Sequence, residues 1–331
     1  MSVAPQRPLR RGGPALSELS LGCAQLGNLY EEVSDREAST TVDAAWQLGV
    51  RYFDTAPHYG LGLSERRLGV ALRMRPRQEY VLSTKVGRLL EPVPTAEGLD
   101  DEGYAVPATH QRVFDFSRDG VLRSLTDSLR RLDTDRVDVV YLHDPDDHVE
   151  EVLDTGFPAL SELRAERTVG AIGAGMNDAN VLARLVHETD MDVVMLAGRY
   201  TLLEQDSLDD LLPLCEQRDV GVVAAGVFNS GLLAKTQPTD EARYNYRIAP
   251  RELLDRARAM AAICERHGTT LPAAALAFPL AHPAVLSICV GARSAEQVKR
   301  NVSLHGQPIP RELWSELKAE GLLRDDAPVP R

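Results

Sequence analysis

Residues 50–88 read VRYFDTAPHYGLGLSERRLGVALRMRPRQEYVLSTKVGR, and the architecture of the chain can be inferred from them. The apolar run at 50–54 predicts a strand, the apolar spacing over 63–73 predicts a helix, and the β-branched run at 80–86 predicts a second strand. Short, nearly continuous apolar strands on both sides of a helix are typical of a parallel sheet whose outer face is covered. The stretch is therefore interpreted as a β-α-β unit.

The same alternation of strand and helix continues through most of the chain. Strands are predicted at 18–22, 50–54, 80–86, 137–142, 169–174, 192–196, 220–224 and 286–290, after a short extended pair around 10–14. Helices are predicted at 35–48, 63–73, 119–131, 149–167, 179–187, 207–218 and 251–267. Because eight parallel strands can close a barrel, we expect an α/β fold with one (β/α)8 TIM barrel, a short N-terminal hairpin and long loops at the C-terminal rim. We expect a single domain over residues 1–331 with its core at about 9–305.

Four polar residues follow three successive predicted strands. Asp54 and Tyr59 lie in FDTAPHYG, Lys85 lies in VLSTKVGR, and His143 lies in VVYLHDP. In a parallel barrel these positions meet at one rim. A lysine charge favours the phenolate of a neighbouring tyrosine and lowers its pKa from about 10. The pattern therefore indicates a proton-transfer centre in which a phenol acts as general acid or base.

Each of these residues also has a structural interpretation when it is taken alone. Asp54 could cap a turn, Tyr59 could be a packed loop aromatic, and His143 could belong to a turn at Asp-Pro. Lys85 is harder to explain in this way, because an unpaired lysine in an apolar strand is costly to bury. The functional interpretation is favoured by the four residues together. His58 is interpreted as a loop or pocket-wall residue.

The motifs DTAPHYG with Ser64-Glu65, STK around Lys85 and LHDP around His143 resemble those of the aldo-keto reductases, in the same order. The resemblance runs from about residue 9 to residue 301. The segments VGRLL, YNYRIAP, FPLAHPAV and VGARSAEQV are further similar to the sugar-dehydrogenase branch of that family, which includes L-fucose (D-threo-aldose) 1-dehydrogenase and L-galactose dehydrogenase, with pyridoxal 4-dehydrogenase as a relative.

The resemblance implies an NAD(P)-dependent oxidoreductase that acts on a small carbonyl or sugar substrate. It implies that Tyr59 donates or accepts the proton and that Lys85, paired with Asp54, lowers the tyrosine pKa. It implies that His143 orients and polarises the substrate oxygen. Donors aimed at that oxygen would stabilise the negative charge that develops there. The chemistry of hydride transfer would belong to the nicotinamide.

The resemblance also implies a set of cofactor contacts at the barrel rim. Asn177 is predicted to hold the carboxamide, and Phe228 is a candidate to stack on the nicotinamide. A glycine-bearing loop is predicted to meet the pyrophosphate through backbone amides, and the junction after the last strand is predicted to bind the adenosine. The predicted cofactor residues are Gly22, Asn177, Gly226, Phe228, Ser230, Gly231, Gly291, Arg293, Ser294, Gln297 and Asn301. Ser294 is also predicted to cap a helix, with Gln297 completing a capping box.

The adenosine junction bears on the choice between NAD and NADP. NADP-preferring relatives commonly place a lysine and an arginine around the 2′-phosphate, whereas the corresponding positions here are Gly291 and Gln297. Arg293 remains as a cation, and one arginine can grip a phosphate with two hydrogen bonds. We therefore expect NAD to be the cofactor, with NADP possible.

Two segments interrupt the alternation of strands and helices. Residues 89–117 have no periodicity and are predicted to form a long loop that leaves the same rim as Lys85 and could cover the substrate. Residues 232–250 contain Tyr244, Tyr246 and Arg247, which could bind a ligand or could pin the loop to the barrel.

The composition restricts the partners and the compartment. The 331 residues include 49 acidic and 37 basic ones, a net charge of −12 that argues against binding to nucleic acid or an anionic membrane. Cys23, Cys215, Cys264 and Cys289 show no metal-type spacing, so we expect no metal, and Cys215 and Cys289 are interpreted as buried free thiols. The polar N-terminus and the absence of a long apolar run predict a soluble cytoplasmic protein. The oligomeric state is not predicted.

Other functions share this fold and were weighed against an oxidoreductase. A regulatory member of the family would bind cofactor as a sensor, but the intact four-residue centre counts against it. A barrel aldolase would use Lys85 as a Schiff base, but the nearby Asp54 favours an ammonium and so opposes amine nucleophilicity. Within the family, an aldehyde or ketone reductase and a pyridoxal dehydrogenase remain alternatives to an aldose dehydrogenase.

Overall fold

The computed structural model describes residues 4–94, 97–245 and 247–330. The strands of the described chain are β1 (Gln6–Pro8), β2 (Ala15–Ser17), β3 (Leu19–Gly22), β4 (Tyr52–Asp54), β5 (Val81–Val86), β6 (Arg88–Pro92), β7 (His110–Phe114), β8 (Val139–His143), β9 (Ala171–Met176), β10 (Val193–Ala197), β11 (Gly221–Ala225), β12 (Arg243–Tyr244), β13 (Arg247–Ile248) and β14 (Val285–Gly291). Eight of them, β3, β4, β5, β8, β9, β10, β11 and β14, close a parallel barrel in that order, with β14 pairing back to β3. The predicted barrel and its eight strands are confirmed.

Helices cover the outside of this barrel. In the described chain they are α1 (Asp35–Gln47), α2 (Leu63–Leu72), α3 (Arg118–Leu132), α4 (Val149–Glu151), α5 (Phe157–Ala165), α6 (Ala179–Glu188), α7 (Leu211–Gln217), α8 (Arg251–Arg266), α9 (Leu271–Ala277), α10 (Ala295–His305) and α11 (Arg311–Ala319). One apolar cluster lies between the helices and the barrel and extends from Leu19 to Ala327. We infer from this shared core that the chain folds as one domain.

The pleat of the strands decides which side chains face the barrel interior. Successive residues of a strand point to opposite faces, so residues two apart share a face. Phe53 lies in the outer apolar cluster, whereas Tyr52 lies in the interior cluster with Tyr141. Asp54 shares the inward face of β4 with Tyr52, and His143 shares that of β8 with Tyr141. Each inward face therefore ends at the C-terminal rim in a polar side chain.

The prediction of a loop without regular structure over 89–117 is wrong in part. β6 and β7 pair as an antiparallel ribbon in which Arg88 lies opposite Phe114 and Pro92 opposite His110. The strands are joined by a long connection instead of a tight turn, so no local turn signal marked the hairpin. The connection returns to the barrel, where Leu29 bridges to Tyr104.

The continuous helix predicted over 149–167 is also corrected. It consists of α4, a π-helical turn at Val152–Gly156, and α5. Pro158 lies in the first turn of α5 and lacks the N–H that an uninterrupted helix would need there. A π-helical turn typically occurs in this way, as a single-turn bulge within an α-helix.

Candidate active site

The structure brings Asp54, Tyr59, Lys85 and His143 together at the C-terminal rim. Asp54 ends β4, Lys85 lies near the end of β5, and His143 ends β8, and these three strands are neighbours in the barrel. Tyr59 reaches the same place from the loop between β4 and α2. Its ring lies 6.0 Å from the His143 ring.

The Lys85 side chain is the centre of this group. Its Nζ donates to Asp54 Oδ2 at 2.7 Å, to the Thr55 carbonyl at 3.0 Å and to Tyr59 Oη at 3.1 Å. An ammonium has three N–H donors, and these contacts provide an acceptor for each of them. The side chains of Lys85 and Asp54 are only 3% and 2% exposed, so the charge pair is held away from bulk water. A positive charge held against the Tyr59 oxygen favours the phenolate.

The loop that carries Tyr59 is held by buried hydrogen bonds. Thr55 Oγ1 and Ser64 Oγ are 2.9 Å apart, and Ser64 Oγ donates to the Cys23 carbonyl at 2.7 Å. Because the Ser64 proton is used on Cys23, Thr55 donates to Ser64. These contacts tie the turn after β4 to the start of α2 and to the end of β3.

A second anchor lies one residue further along α2. The fully buried Glu65 accepts from Thr84 Oγ1 at 2.8 Å and pairs with Arg131 of α3 at 2.5 Å. Thr84 directly precedes Lys85, so this ion pair fixes β5 against the helices that flank it. The Ser64-Glu65 pair, which carried part of the sequence resemblance, thus has a structural role on both sides of the loop.

A close backbone approach completes the support of Tyr59. Gly60 has φ = +61°, a left-handed conformation that favours glycine. A Cβ atom at Gly60 would overlap the carbonyl oxygen of Gly27. The backbone beside Tyr59 therefore rests directly on the turn after β3, a contact that a single local motif does not reveal.

His143 and His58 are both held as neutral imidazoles. Burial lowers the pKa of His143 well below its usual value, and the charges of Arg88 and Lys85 add to this effect. Burial likewise lowers the pKa of His58 to about 2, with Arg88 as the next cause. Among the described residues no protein partner reaches Nδ1 of His143, and a neutral ring nitrogen can hydrogen-bond a substrate oxygen.

A segment of charged residues lies over this centre. The Arg112 guanidinium of β7 pairs with both oxygens of Asp100, at 2.6 and 3.0 Å, and also donates to the His58 carbonyl at 3.1 Å. The Arg112 and Asp100 side chains are 6% and 3% exposed. Such a buried two-pronged pair is geometrically specific, and here it holds the segment around residue 100 against the loop of Tyr59. The sequence analysis did not predict this ion pair.

The underside of the same segment is apolar. Tyr104 and Val106 form a small buried cluster with Leu61, against which Tyr59 and Leu63 pack. The connection between β6 and β7 therefore lies directly on the loop that carries Tyr59. Its predicted place beside Lys85 is correct, although its substrate-covering role stays a prediction.

Arg88 and Asp144 form a charged pair beside the two histidines. Arg88 Nη2 donates to Asp144 Oδ2, and Arg88 Nη1 lies 3.4 Å from His58 Nδ1. Asp144 has φ = +44° and its side chain is 36% exposed. Burial raises the pKa of its carboxyl, against the effect of Arg88. The pair thus presents donors and acceptors next to His143.

The predicted cofactor residues lie at the same rim, at the ends of the strands that flank the catalytic group. Gly22 ends β3, Asn177 follows β9 and is exposed, Gly226 follows β11, and Gly291 ends β14. Their roles stay predictions.

The glycine-bearing loop after β11 has an unusual backbone. Gly226, Asn229, Ser230 and Gly231 all have positive φ angles, between 45° and 97°. Several N–H groups of this loop are used within it: Asn229 N donates to the Gly226 carbonyl, Gly231 N to that of Phe228, and Leu232 N to that of Asn229. Pyrophosphate binding by its backbone amides stays a prediction. Phe228 is partly buried within this loop.

The junction after β14 is a helix start, as predicted. Ser294 caps α10 by accepting from Gln297 N at 3.3 Å. The predicted capping box is incomplete, because the Gln297 side chain accepts from Arg293 N at 2.9 Å instead of from the backbone of Ser294. Asn301 lies within α10 and is partly buried.

Two observations indicate that the rim fits a polar dinucleotide. The buried Oε1 of Gln25, which lies where a Cβ of Gly291 would be, has no hydrogen-bond partner among the described residues. The buried Oδ1 of Asn229 likewise has none in that part of the chain. Buried oxygens without donors are uncommon and call for a partner, which the amide and hydroxyl groups of a nicotinamide dinucleotide could supply.

Arg293 has a partner that the sequence did not indicate. Its guanidinium pairs with the carboxylate of Glu31, in the loop after β3. Tyr30 lies in the same loop, and the guanidinium carbon of Arg243, from β12, is 5.7 Å from the centroid of its ring. The loop between β3 and α1 therefore contacts the adenosine junction and the loop that follows β11.

The segment 232–250 is held to the barrel by one of its three predicted residues. The hydroxyl of Tyr244 donates to Glu204, which favours pinning of the loop over ligand binding for this side chain. Arg247 is exposed in β13. Tyr246 lies outside the described residues.

With this geometry in place, the chain can be compared with known proteins. Residues 18–320 match the model of the Aldo/keto reductase family, and the chain belongs to that family. It is 47% identical to D-threo-aldose 1-dehydrogenase of a Pseudomonas species, over 94% of this chain and 96% of that one. It is 41% identical to pyridoxal 4-dehydrogenase of Microbacterium luteolum, over 98% and 99%. Its structure is similar to the holo form of aldo-keto reductase AKR11C1 from Bacillus halodurans, with a TM-score of 0.76, 28% identity and coverage of 99% and 98%.

These similarities confirm the family and the branch that the sequence motifs resemble. The protein is an enzyme and an oxidoreductase, and the members of its family use nicotinamide cofactors on small carbonyl substrates. No helix of the described chain is long and apolar enough to cross a membrane. No group of three potential metal-ligating side chains occurs in residues 4–94, 97–245 and 247–330.

The neutral state of His58 predicts how stability depends on pH. Its pKa is about 2 in the folded protein and close to the usual 6.5 when the chain unfolds, so only the unfolded state gains a proton as the pH falls below 6.5. Stability should therefore fall on acidification, by up to about 1.4 kcal/mol per pH unit from this residue. We expect His58→Gln to have a shallower loss between about pH 6.5 and 4.5.

Urea denaturation midpoints at a series of pH values measure this difference. His187 of α6 provides the matched control, because its side chain is exposed in the folded protein, and His187→Gln should keep the wild-type slope. Parallel stability curves for His58→Gln and wild type would contradict the neutral burial of His58.

Proposed function

We propose that this enzyme is an NAD-dependent dehydrogenase that oxidises the anomeric carbon of an aldose, of the L-fucose or L-galactose type, to a lactone. The observation that carries the proposal is the contact of the buried Lys85 ammonium with Tyr59 Oη, at 3.1 Å. The 47% identity to a D-threo-aldose 1-dehydrogenase supports the choice of substrate.

In this proposal Tyr59 is the general base of the oxidation. Lys85 stabilises the phenolate, which removes the proton from the anomeric hydroxyl as the substrate is oxidised. The neutral His143 hydrogen-bonds the same substrate oxygen and fixes its position beside Tyr59. A bound nicotinamide cofactor supplies the hydride acceptor. In the reverse direction the Tyr59 phenol returns the proton to the carbonyl oxygen.

The chemistry of a cyclic sugar suits this centre. A lactol hydroxyl is more acidic than that of an ordinary alcohol, so a phenolate removes its proton readily. The lactone product is a less reactive electrophile than an aldehyde, which favours oxidation. Because Tyr59 acts as a base in this direction, activity should rise as the pH rises through the tyrosine pKa, and the optimum should be alkaline.

The first test of the function removes the phenol oxygen. Tyr59→Phe should lower kcat/KM for aldose oxidation by about 10² to 10⁴, because loss of one positioned general acid or base has that size. Cofactor binding, measured as the quench of protein fluorescence by NADH, should change little.

The substrate is tested with a panel of aldoses, pyridoxal and simple aldehydes, assayed by nicotinamide absorbance with NAD and with NADP. Efficient aldehyde reduction without oxidation of L-fucose, L-galactose or a similar aldose would contradict the sugar assignment. Near wild-type turnover by Tyr59→Phe would contradict the role of Tyr59.

The pyridoxal arm of this panel tests a second candidate function. The 41% identity to a pyridoxal 4-dehydrogenase favours that alternative within the family.

An aldolase mechanism is opposed by the geometry of Lys85. Its nitrogen is hydrogen-bonded as an ammonium to Asp54 at 2.7 Å, and an ammonium is a poor nucleophile.

We further propose that Arg88 and Asp144 bind the hydroxyl groups of the sugar. The two side chains are paired beside His143, and the half-exposed carboxylate of Asp144 can accept from a hydroxyl while the guanidinium donates. Hydrogen bonds to charged groups in a partly dry site discriminate strongly between substrates that offer partners and those that do not.

Asp144→Asn tests this recognition. The amide keeps the shape but weakens acceptance from a hydroxyl, so KM for an aldose should rise about tenfold, the equivalent of one lost charge-assisted hydrogen bond. The kcat should change less, and turnover of methylglyoxal, which has no ring hydroxyls, should be almost unaffected. Steady-state kinetics on both substrates measure the split.

The control for this variant is Asp147→Asn, which removes the same charge from an exposed position in the turn after β8. It should leave both substrates unaffected. An equal loss for aldose and methylglyoxal in Asp144→Asn would show that Asp144 supports the loop instead of reading the sugar.

We propose NAD as the preferred cofactor because Arg293 is already paired. Its partner Glu31 neutralises the guanidinium and would repel a 2′-phosphate, whereas a ribose 2′-hydroxyl can donate to a carboxylate. Gly291 and Gln297 add no positive charge to this junction.

Glu31→Gln should therefore strengthen NADPH binding by several-fold and leave NADH binding nearly unchanged. Arg293→Ala should weaken NADPH more than NADH, since NADPH alone carries the additional phosphate. Dissociation constants from fluorescence titration measure both effects, and Glu32→Gln, at the adjacent exposed acid, is the control. A strong wild-type preference for NADP would contradict the assignment.

The compartment is also proposed as cytoplasmic. Cys23, Cys215, Cys264 and Cys289 are all buried and free. Free thiols persist in a reducing compartment.

A further inference from the structure

A row of buried hydroxyl groups lies beneath the active site, inside the barrel. Tyr141 Oη lies 3.0 Å from Tyr52 Oη, Tyr52 Oη lies 3.1 Å from Ser83 Oγ, and Ser83 Oγ lies 2.7 Å from Asp54 Oδ1. Tyr52, Ser83 and Tyr141 are each 0% exposed. The row therefore ends on the carboxylate oxygen that does not contact Lys85.

The protons of this row have one consistent arrangement. The Asp54 carboxylate paired with Lys85 has no proton, so Ser83 donates to it and spends its only hydrogen. Tyr52 must then donate to Ser83, and Tyr141 to Tyr52. Burial raises the pKa of both tyrosines, so both keep their protons at any working pH. All three hydroxyl dipoles point toward Asp54.

We propose that Tyr141, Tyr52 and Ser83 form a directional hydrogen-bond chain that stabilises the charge of Asp54 and thereby, through Lys85, sets the acidity of Tyr59. The inference rests on the proposed role of Tyr59 as the general base. Tyr141, Tyr52 and Ser83 are positioning residues, because they act on Tyr59 through Asp54 and Lys85.

The reason for such a chain is the burial of the ion pair. A carboxylate held at 2% exposure cannot be stabilised by solvent, and a buried charge needs fixed dipoles in its place. Hydrogen bonds in a row polarise one another, so a donor at the far end still acts on the carboxylate. When Asp54 loses a hydrogen bond, its carboxylate holds the Lys85 ammonium less firmly against Tyr59 Oη, and the phenolate is less stabilised. The tyrosine pKa then rises.

The other titratable groups around this pair do not replace the chain. His58, His143 and Tyr104 surround the Tyr59 ring, and the thiols of Cys23 and Cys289 lie beside Asp54. Beyond the histidines, Arg88 pairs with Asp144, and Arg112 lies 3.5 Å from Glu102. The pKa values of the two histidines are lowered and those of the two thiols are raised, mainly by burial. These four groups therefore stay neutral while Tyr59 titrates.

The experiment compares Ser83→Ala and Tyr141→Phe with the wild type. The limb of kcat/KM that rises with pH should move to higher pH by about one unit in Ser83→Ala, the size expected from loss of one hydrogen bond to a charged group. This shift lowers activity at pH 7 by about tenfold but leaves the alkaline plateau unchanged. Tyr141→Phe should give a smaller shift in the same direction.

Tyr200→Phe is the matched control. Tyr200 is also fully buried, and its hydroxyl has no hydrogen-bond partner in the part of the chain that the structure describes. It packs against Phe278 and His282, away from Asp54, so this variant should keep the wild-type pH profile. Thermal denaturation of all variants reports folding separately from the profile.

A double variant adds an internal check on the chain. Once Ser83 is removed, Tyr141 no longer acts on Asp54, so Ser83→Ala with Tyr141→Phe should shift the profile no further than Ser83→Ala alone. Additive shifts, or a lowered plateau without a shift, would mean that these residues only support the barrel and would overturn the proposal.

The same shift can be measured without any substrate. NMR of the protein labelled at tyrosine ¹³Cζ follows the titration of Tyr59, whose signal is assigned by its loss in Tyr59→Phe. An unshifted Tyr59 titration in Ser83→Ala would overturn the chain whatever the enzyme oxidises. Failure to oxidise any aldose, with the NMR shift intact, would contradict the proposed function only.

Discussion

The buried ion pair between Lys85 and Asp54 is the constraint on which the active-site architecture depends. Two opposite charges at 2.7 Å and almost no exposure are favourable only if every remaining donor and acceptor has a partner. The Thr55 carbonyl and the Tyr59 oxygen accept the other two hydrogen bonds of the ammonium, and Ser83 donates to the carboxylate. The order of β4, β5 and β8 in the barrel supplies these partners, because parallel neighbours end at one rim.

The surroundings of the pair divide into two electrostatic layers. Below the rim, hydroxyl groups without net charge face the carboxylate. Above it, Arg88 and Arg112 face the histidines and are themselves paired with Asp144 and Asp100. Burial, aided by these cations, keeps His58 and His143 neutral, and the acidic partners prevent an unbalanced positive charge. A neutral imidazole beside a phenolate can donate to the substrate oxygen without competing for the proton of Tyr59.

How much of this could be predicted from the sequence depends on how local the signal is. The strands, their shared rim and the four polar residues were predictable, because each rests on a short run of residues. The Glu31–Arg293 and Arg112–Asp100 pairs were not predictable, because the sequence does not indicate which charged side chains of distant segments contact each other. The hairpin of β6 and β7 was missed for a related reason, since its strands are joined without a turn motif.

The hydroxyl chain was closer to prediction than these pairs. Tyr52, Ser83 and Tyr141 each stand two residues before Asp54, Lys85 and His143, and alternation along a strand places each pair on one face. The sequence therefore indicates which residues lie directly beneath the active-site residues inside the barrel. What it lacks is the stagger of the strands, which sets whether the three hydroxyl groups meet or lie apart. The register that places Ser83 opposite Asp54, and Tyr141 opposite Lys85, is a property of the closed barrel.

The predicted cofactor contacts are harder to identify from the sequence than the catalytic residues. A loop that binds phosphate through its backbone amides needs a conformation more than particular side chains. Asn229 and Ser230 have positive φ angles that neither residue type demands, so the sequence does not indicate the backbone conformation of this loop. A Cβ atom at Gly291 would overlap Oε1 of Gln25, so a larger residue there would move the Gln25 side chain. Residue types thus identify the chemistry at Tyr59 more sharply than the dinucleotide contacts, since proton transfer needs a particular functional group and backbone recognition does not.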